Sequence, residues 1–332
     1  MERRRQKDHR GDLKRYNAFS SYVKERFGEP VRTISVDAGF PCPNRDGTVG
    51  TGGCIFCNAD SYRPRSCEPS RPMSDQIRIG IERARKKYKA NAFIVYFQPS
   101  TNTHAPVAVL EKLYREALSF PGVVGLAIGT RPDAVDEEKI RLLETLARNA
   151  FILVEYGVQS IHDKTLAFLN RGHDYASFLK ALELTRDRGI AIGAHVIAGC
   201  PTETREEMLA MADALSDLPV TFLKIHHLQV IRGTPLALIY RERPFHVFDY
   251  DEYCRFIVDF LERLSPRIAV QRLFAEAPED LLIAPVWNRT KQQILLDIER
   301  ALAARDGWQG KTARAEVTTG CAARPFARSR SF

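Results

Sequence analysis

Three of the seven cysteines crowd into sixteen positions: Cys42 stands alone, and a Cys-x-x-Cys pair, Cys54 and Cys57, follows after eleven intervening residues. Thiolates gather soft metals, so this spacing points to iron or zinc rather than to a disulfide framework, and the odd cysteine count fits a reducing compartment. Three thiolates from one loop can ligate three irons of a [4Fe–4S] cubane and leave the fourth iron open to chelate an amine and a carboxylate. Pro41, Pro43, Gly50, Gly52 and Gly53 let the backbone wrap closely around such a group, and Phe56 can lie against an adenine. Structural zinc competes as a reading; it wants four ligands, and Cys67 or Asp60 could complete the set.

These groups need elements to position them. Apolar, β-branched runs end at Ile34-Ser35-Val36 and recur at 93–97, 123–128, 151–154, 190–197 and 221–228, each short enough for a strand. Helical patterns alternate with them: Ile77, Ile81, Ala84 and Tyr88 share a face, Pro106 opens a second helix, and Asp136 and Asp174 cap two more. Six strand-helix units predict an α/β fold with a parallel sheet, either doubly wound or a partial barrel. In both architectures the chemistry gathers at the carboxyl ends of the strands. The notable residues fall there: the Cys42 loop, Gln98, Thr130-Arg131, Glu155 and Gln159, His195, and Lys224 with His226.

The chain has 332 residues, 44% hydrophobic and 27% charged, enough for one large core or a core with a small appended domain. The reading divides it into a basic N-terminal extension (1–30), a core (31–232), a small α/β cap (233–310) and a disordered basic tail (311–332). No window approaches a membrane span, and Met1 to Arg15 is charged rather than apolar, so the expected location is the cytoplasm. A formal net charge of +8, with basic clusters at both ends, favours polyanionic partners through counterion release.

At these residues the sequence resembles the radical S-adenosylmethionine (SAM) superfamily, in the branch with widened first cysteine spacing that includes the catalytic subunit of Elongator. The matching segments are Asp37 to Gly47, Tyr96-Phe97-Gln98, Thr101-Asn102-Thr103, Ile128 to Asp133, Gly157-Val158-Gln159-Ser160, Asn170-Arg171-Gly172-His173 and Leu281 to Pro285. The resemblance implies a partial (β/α)6 barrel with SAM across the strand ends and a 5′-deoxyadenosyl radical as the reactive species. It implies a [4Fe–4S] cluster on Cys42, Cys54 and Cys57, with Phe56, Gln98, Glu155, Gln159 and His195 around the cofactor and Arg171 on its carboxylate. A guanidinium suits that last role, since it matches a carboxylate bidentately and stays charged.

The resemblance further implies a tRNA partner, with a wobble-uridine side chain of carboxymethyl type as the group trimmed or rebuilt, and an electron donor such as flavodoxin or ferredoxin. Arg131, Lys224 and His226 are the expected substrate contacts. Radical chemistry on a small molecule or peptide, and a zinc-stabilised nucleic-acid-binding protein without catalysis, are the alternatives. The stretch Ile197 to Thr204 departs from the family pattern at Cys200 and Thr202, and Cys200 is expected to pack rather than ligate.

Overall fold

A computed structural model describes residues 14–64, 67 and 70–313; the basic residues 1–13, and nearly all of the segment expected to be a disordered tail (314–332, with Cys321), lie outside the described residues. The chain runs α1 (Phe19–Phe27), β1 (Val31–Val36), α2 (Ala59–Tyr62), α3 (Met73–Tyr88), β2 (Ala92–Phe97), α4 (Val107–Leu118), β3 (Val123–Thr130), a 3₁₀ turn (Pro132–Ala134), α5 (Glu137–Ala147) and β4 (Phe151–Gln159). It continues through α6 (Asp163–Phe168), α7 (Tyr175–Thr185), β5 (Ala191–Ala198), α8 (Arg205–Ser216), β6 (Phe222–His227), β7 (Val230–Ile231), α9 (Pro235–Glu242), α10 (Tyr250–Arg263), β8 (Ala269–Arg272), β9 (Leu282–Ala284) and α11 (Lys291–Ala304). No helix among the described residues is long and apolar enough to cross a membrane.

Alternation along the strands sorts side chains onto two faces. Outward residues such as Val36, Phe97, Ile128, Val154 and Ile225 pack with Ile77, Leu110, Tyr114, Leu143, Phe178 and Phe256 from the surrounding helices. Inward residues at the strand starts form a smaller cluster: Ile94, Ala127, Phe151, Leu153 and Phe222 close on Phe19, Tyr22 and Val23 of α1. Phe19 and Tyr22 meet Phe222 edge-on, with ring centroids 5.2 and 4.8 Å apart. Helix α1 thus stoppers the amino end of the half-barrel, and residues 14–30, grouped by composition with a basic extension, act as part of the core.

The six expected strands are all present and all parallel, in the order β1 to β6, and β8 joins them as a seventh beside β6. The sequence reading placed that strand in the cap. Its position follows from the edge rule: β6 without a neighbour would leave a row of backbone N–H and C=O groups unpaired, and α10 supplies the crossover a parallel strand needs. The outer edge of β8 is covered in turn, because Val270 donates its N–H to Asn17 O (2.7 Å) and Ala18 bridges to Val270. Strand β4 also runs five residues past its apolar stretch, to Gln159, since its later inward positions face a polar interior.

A knot of hydrogen bonds fixes the loops above β2 and β3. Fully buried Asn102 donates through Nδ2 to Phe97 O, Pro99 O and Gly129 O (2.8–3.0 Å), and Tyr114 O–H donates to Asn102 O at 2.5 Å. Thr103 joins Thr130 at 2.6 Å and donates to Ala134 O. Asn102→Ala is expected to lower stability by about 2–3 kcal/mol, because three buried carbonyls that share its two N–H groups lose them together. Asn102→Asp should be worse, since a carboxylate accepts only; thermal midpoints of the two variants in that order would support this account, and equal midpoints would not.

Candidate active site

The cysteine loop leaves the carboxyl end of β1 and is held at its root by Asp37. Gln76 of α3 clamps the Asp37 backbone from both sides, accepting from its N–H and donating to its carbonyl at 2.9 Å each, while Arg63 pairs with the Asp37 carboxylate at 2.9 Å. Farther along, Asn44 Nδ2 donates to Asn170 O and Asn170 Nδ2 to Gly53 O, both at 2.7 Å. Ile55 N adds a bond to Leu169 O. This reciprocal clasp lays residues 53–55 beside 169–171 and so delivers Arg171 to Cys54.

Arg171 is buried and donates to Cys54 Sγ at 3.3 Å and to Gly157 O at 2.8 Å, leaving its Nε buried without a partner. Burial alone would push the Cys54 thiol up, but Arg171, Arg131 and an N–H from Asn44 outweigh it and hold the thiol below its usual range. Burial raises Cys57, with Arg45 opposing, and its thiol donates to the Tyr62 hydroxyl at 3.7 Å. Cys42, Cys54 and Cys57 line one cavity. The other thiols among the described residues are employed elsewhere: Cys67 donates to Ser35 O, Cys200 lies in an apolar cluster with Leu169, Ile197 and Leu228, and Cys254 sits in α10.

These residues fit a thiolate-bound cluster with an open position. Three cysteines, and no fourth among the described residues, line the cavity, and N–H groups are aimed at Cys54 as at a thiolate. Gly53 adopts φ +70° where an added Cβ would lie 2.8 Å from Arg45 Nε, so a side chain there would push into the guanidinium that braces Cys57 O.

Beside the thiols, β4 and β5 present the residues expected around the cofactor to the same cavity. Gln159 sits at φ 71° at the end of β4, where the β4–β5 register shifts between Gly157 and Gln159, and this bulge turns its side chain into the cavity. Phe56, Gln98, Glu155 and His195 line the same space, with Gln98 held between Ser35 Oγ (3.0 Å) and Tyr62 O (2.8 Å). A Cβ on Gly157 would fall 2.6 Å from Arg171 Nη2 and 2.7 Å from Gln159 Nε2. Gly157→Ala is therefore expected to raise the SAM dissociation constant by roughly 10-fold while leaving the thermal midpoint near wild type, the shift of one charged hydrogen bond; equilibrium binding of SAM checks it, and unchanged affinity counts against this arrangement.

Deeper in, Glu155 is 1% exposed and organises the interior. Its Oε2 accepts from Lys224 Nζ at 2.5 Å and His195 Nε2 at 3.0 Å, and its Oε1 from Gln271 Nε2 at 2.7 Å. Lys224 Nζ also reaches the Tyr96 hydroxyl at 3.0 Å. Burial opposes ionisation of Glu155, but Lys224 and His195 more than offset it and hold the carboxyl well below its usual range. Burial and Lys224 keep His195 neutral despite Glu155, so its Nε2 carries the proton it donates. His226 is neutral for the same reason, burial first and then the nearby cations, and its Nε2 has no partner.

The expected cofactor and substrate contacts are thus not two separate sets, since Glu155, His195 and Lys224 form one bonded network. Arg131 is fixed by Asp133 in a bidentate pair (2.9 and 2.7 Å) and lies within electrostatic reach of Cys54, on the thiol side of the cavity, with its Nη1 unpartnered. Sequence reasoning missed Tyr96, Gln271 and Arg272. Tyr96 shares its strand face with Gln98 and was open to discovery by alternation; Gln271 and Arg272 were hidden because their strand had been assigned to the cap.

A parallel half-barrel with a three-thiol loop at its carboxyl end defines a class of iron-sulfur enzyme, and the sequence confirms it: residues 47–215 match the Radical SAM superfamily model and residues 220–304 the Radical_SAM C-terminal domain model. The chain belongs to the radical SAM superfamily, whose cofactors are a [4Fe–4S] cluster and SAM. It is 36% identical over 298 residues to YtqA of Bacillus subtilis, covering 90% of this chain and 92% of that one. It is 27% identical over 168 residues to a tRNA uridine(34) acetyltransferase of Methanocaldococcus infernus, which spans 48% of this chain and 30% of the relative. In fold it is similar to an archaeal Elp3 from the same organism, with TM-score 0.65 and 19% identity over 84% of this chain and 64% of that structure. The family match makes the chain an enzyme and sets aside the reading of a zinc-stabilised, non-catalytic binder.

Proposed function

We propose that this radical SAM enzyme holds its cluster on Cys42, Cys54 and Cys57 and modifies a tRNA wobble-uridine side chain, trimming or rebuilding a carboxymethyl-type substituent. The observation that carries the reading is the charge of the interior: Arg45, Arg131, Arg171, Lys224 and Arg272 line the cavity against two carboxylates, Glu155 and Glu276. Such a cavity receives an anion-bearing substrate. The relative named for tRNA uridine(34) and the net charge of +8 both agree with a tRNA carrier.

Held by these residues, the cluster and SAM would supply one-electron radical chemistry able to abstract a hydrogen atom from the substrate. The protein's share is orientation and exclusion. Arg171 holds the SAM carboxylate, Gln159 and Gln98 fix its polar groups, and Phe56, Ile197, Leu228 and Ile231 keep the reacting end dry. Lys224 and His226 meet the substrate. Residues 31–232, with α1 and β8 added to them, form the catalytic core and the rest of 233–310 the cap, and a flavodoxin- or ferredoxin-type protein delivers the electron. The deciding experiment compares tRNA nucleosides from cells with and without the gene. Accumulation of one unprocessed wobble uridine supports the proposal; identical nucleoside profiles, with 5′-deoxyadenosine still formed by the reconstituted enzyme, move the substrate to a small molecule or peptide.

A further inference from the structure

Two neighbouring residues of β8 both reach the interior, which a regular strand forbids because successive side chains point to opposite faces. Gln271 bonds Glu155, while Arg272 lines the cavity. The cause is a register shift between Leu223 and Lys224, after which Lys224 pairs with Arg272. Bulges of this kind re-aim a side chain. The result is a guanidinium set against Lys224, His195 and His226, each of which its charge disfavours protonating.

No carboxylate among the described residues pairs with Arg272 to answer that repulsion. That guanidinium makes no hydrogen bond or salt bridge among the described residues. Both Glu155 oxygens are occupied by Lys224, His195 and Gln271, and Glu276 pairs with Lys291 at 3.2 Å. Beside it, His226 Nε2 is buried with no partner. Arg272 is half-buried at the cavity wall, and a buried ring nitrogen orphaned near it is costly unless a partner arrives to use it. Arg171 and Arg131, the guanidiniums that act on Cys54, belong to the thiol side of the cavity.

We infer that Arg272 and His226 form an anion subsite that binds the carboxylate of the substrate side chain, apart from the place where Arg171 meets the cofactor. This deepens the reading above and rests on it for the identity of the carrier. Arg272 supplies a bidentate fork and His226 a single N–H, so the site distinguishes a carboxylate from a neutral amide of the same shape.

The test uses full-length, anaerobically reconstituted enzyme and two anticodon stem-loop RNAs, one with a carboxymethyl-type uridine and one with the matching carboxamide. Wild type is expected to favour the carboxylate by roughly 30-fold in kcat/KM for RNA-dependent 5′-deoxyadenosine, the size of one charge-assisted pair. In Arg272→Gln that preference should fall to about 3-fold or less, and Arg272→Lys should recover part of it. A retained preference overturns the subsite, and so does loss of RNA-free cleavage, which would put Arg272 in the cofactor bed. A second arm needs no RNA: malonate at matched ionic strength should raise the thermal midpoint of wild type and not of Arg272→Gln. If neither RNA stimulates wild type, the tRNA reading fails and malonate decides the subsite alone; equal stabilisation of both proteins refutes it.

Discussion

Cys42→Ala is expected to yield a folded protein that cannot assemble its cluster, with iron and sulfide near zero after anaerobic reconstitution and SAM cleavage down by at least about 10³-fold, because the hard chemistry belongs to the cofactor. Cys42 is half-buried in a loop whose root is fixed by Asp37 and Gln76 rather than by the thiol, so the thermal midpoint of the metal-free protein should hardly move. Cys67→Ala is the informative control. Cys67 is 2% exposed and donates to Ser35 O, so its loss should cost roughly 1–2 kcal/mol of packing and hydrogen bonding while iron and sulfide stay at wild-type levels. Iron loss in Cys67→Ala with retention in Cys42→Ala would mean the ligands are misassigned.

Glu155→Gln is expected to abolish turnover and to cost about 3–5 kcal/mol, because it strands the Lys224 ammonium in the interior beside Arg272. The double variant Glu155→Gln, Lys224→Met should regain most of that stability without regaining activity. A buried ion pair returns little net stability compared with an apolar pair, so its presence here reflects use rather than strength. Since the folded carboxyl is held well below its ordinary value of 4.5, its contribution is present above about pH 4.5 and is lost as the pH falls below that. Wild type should therefore lose urea resistance more steeply than Glu155→Gln on going from pH 5 to pH 3; parallel curves would show that Glu155 is not ionised in the folded protein.

Both predictions turn on groups that were legible in the sequence in unequal degree. The thiols announced themselves through local spacing, a property of one loop. Glu155, Gln159 and His195 could be placed at strand ends by counting along apolar runs, and the structure puts all three in one cavity. Their partners could not be counted. Arg171 reaches Cys54 through the Asn44–Asn170 clasp across 117 residues of sequence, and Lys224 finds Glu155 across 69.

By itself the sequence determined the strand-helix alternation, the parallel sheet, the three-thiol loop and the radical SAM kinship, because each is written in periodicity or in short-range spacing. Tertiary structure alone decided that β8 completes the sheet, that α1 closes its amino end, and that Arg272 lines the cavity. Those outcomes depend on which strand edge is left open and on a bulge that overrides alternation, and neither edge exposure nor register is a property of a local stretch of chain.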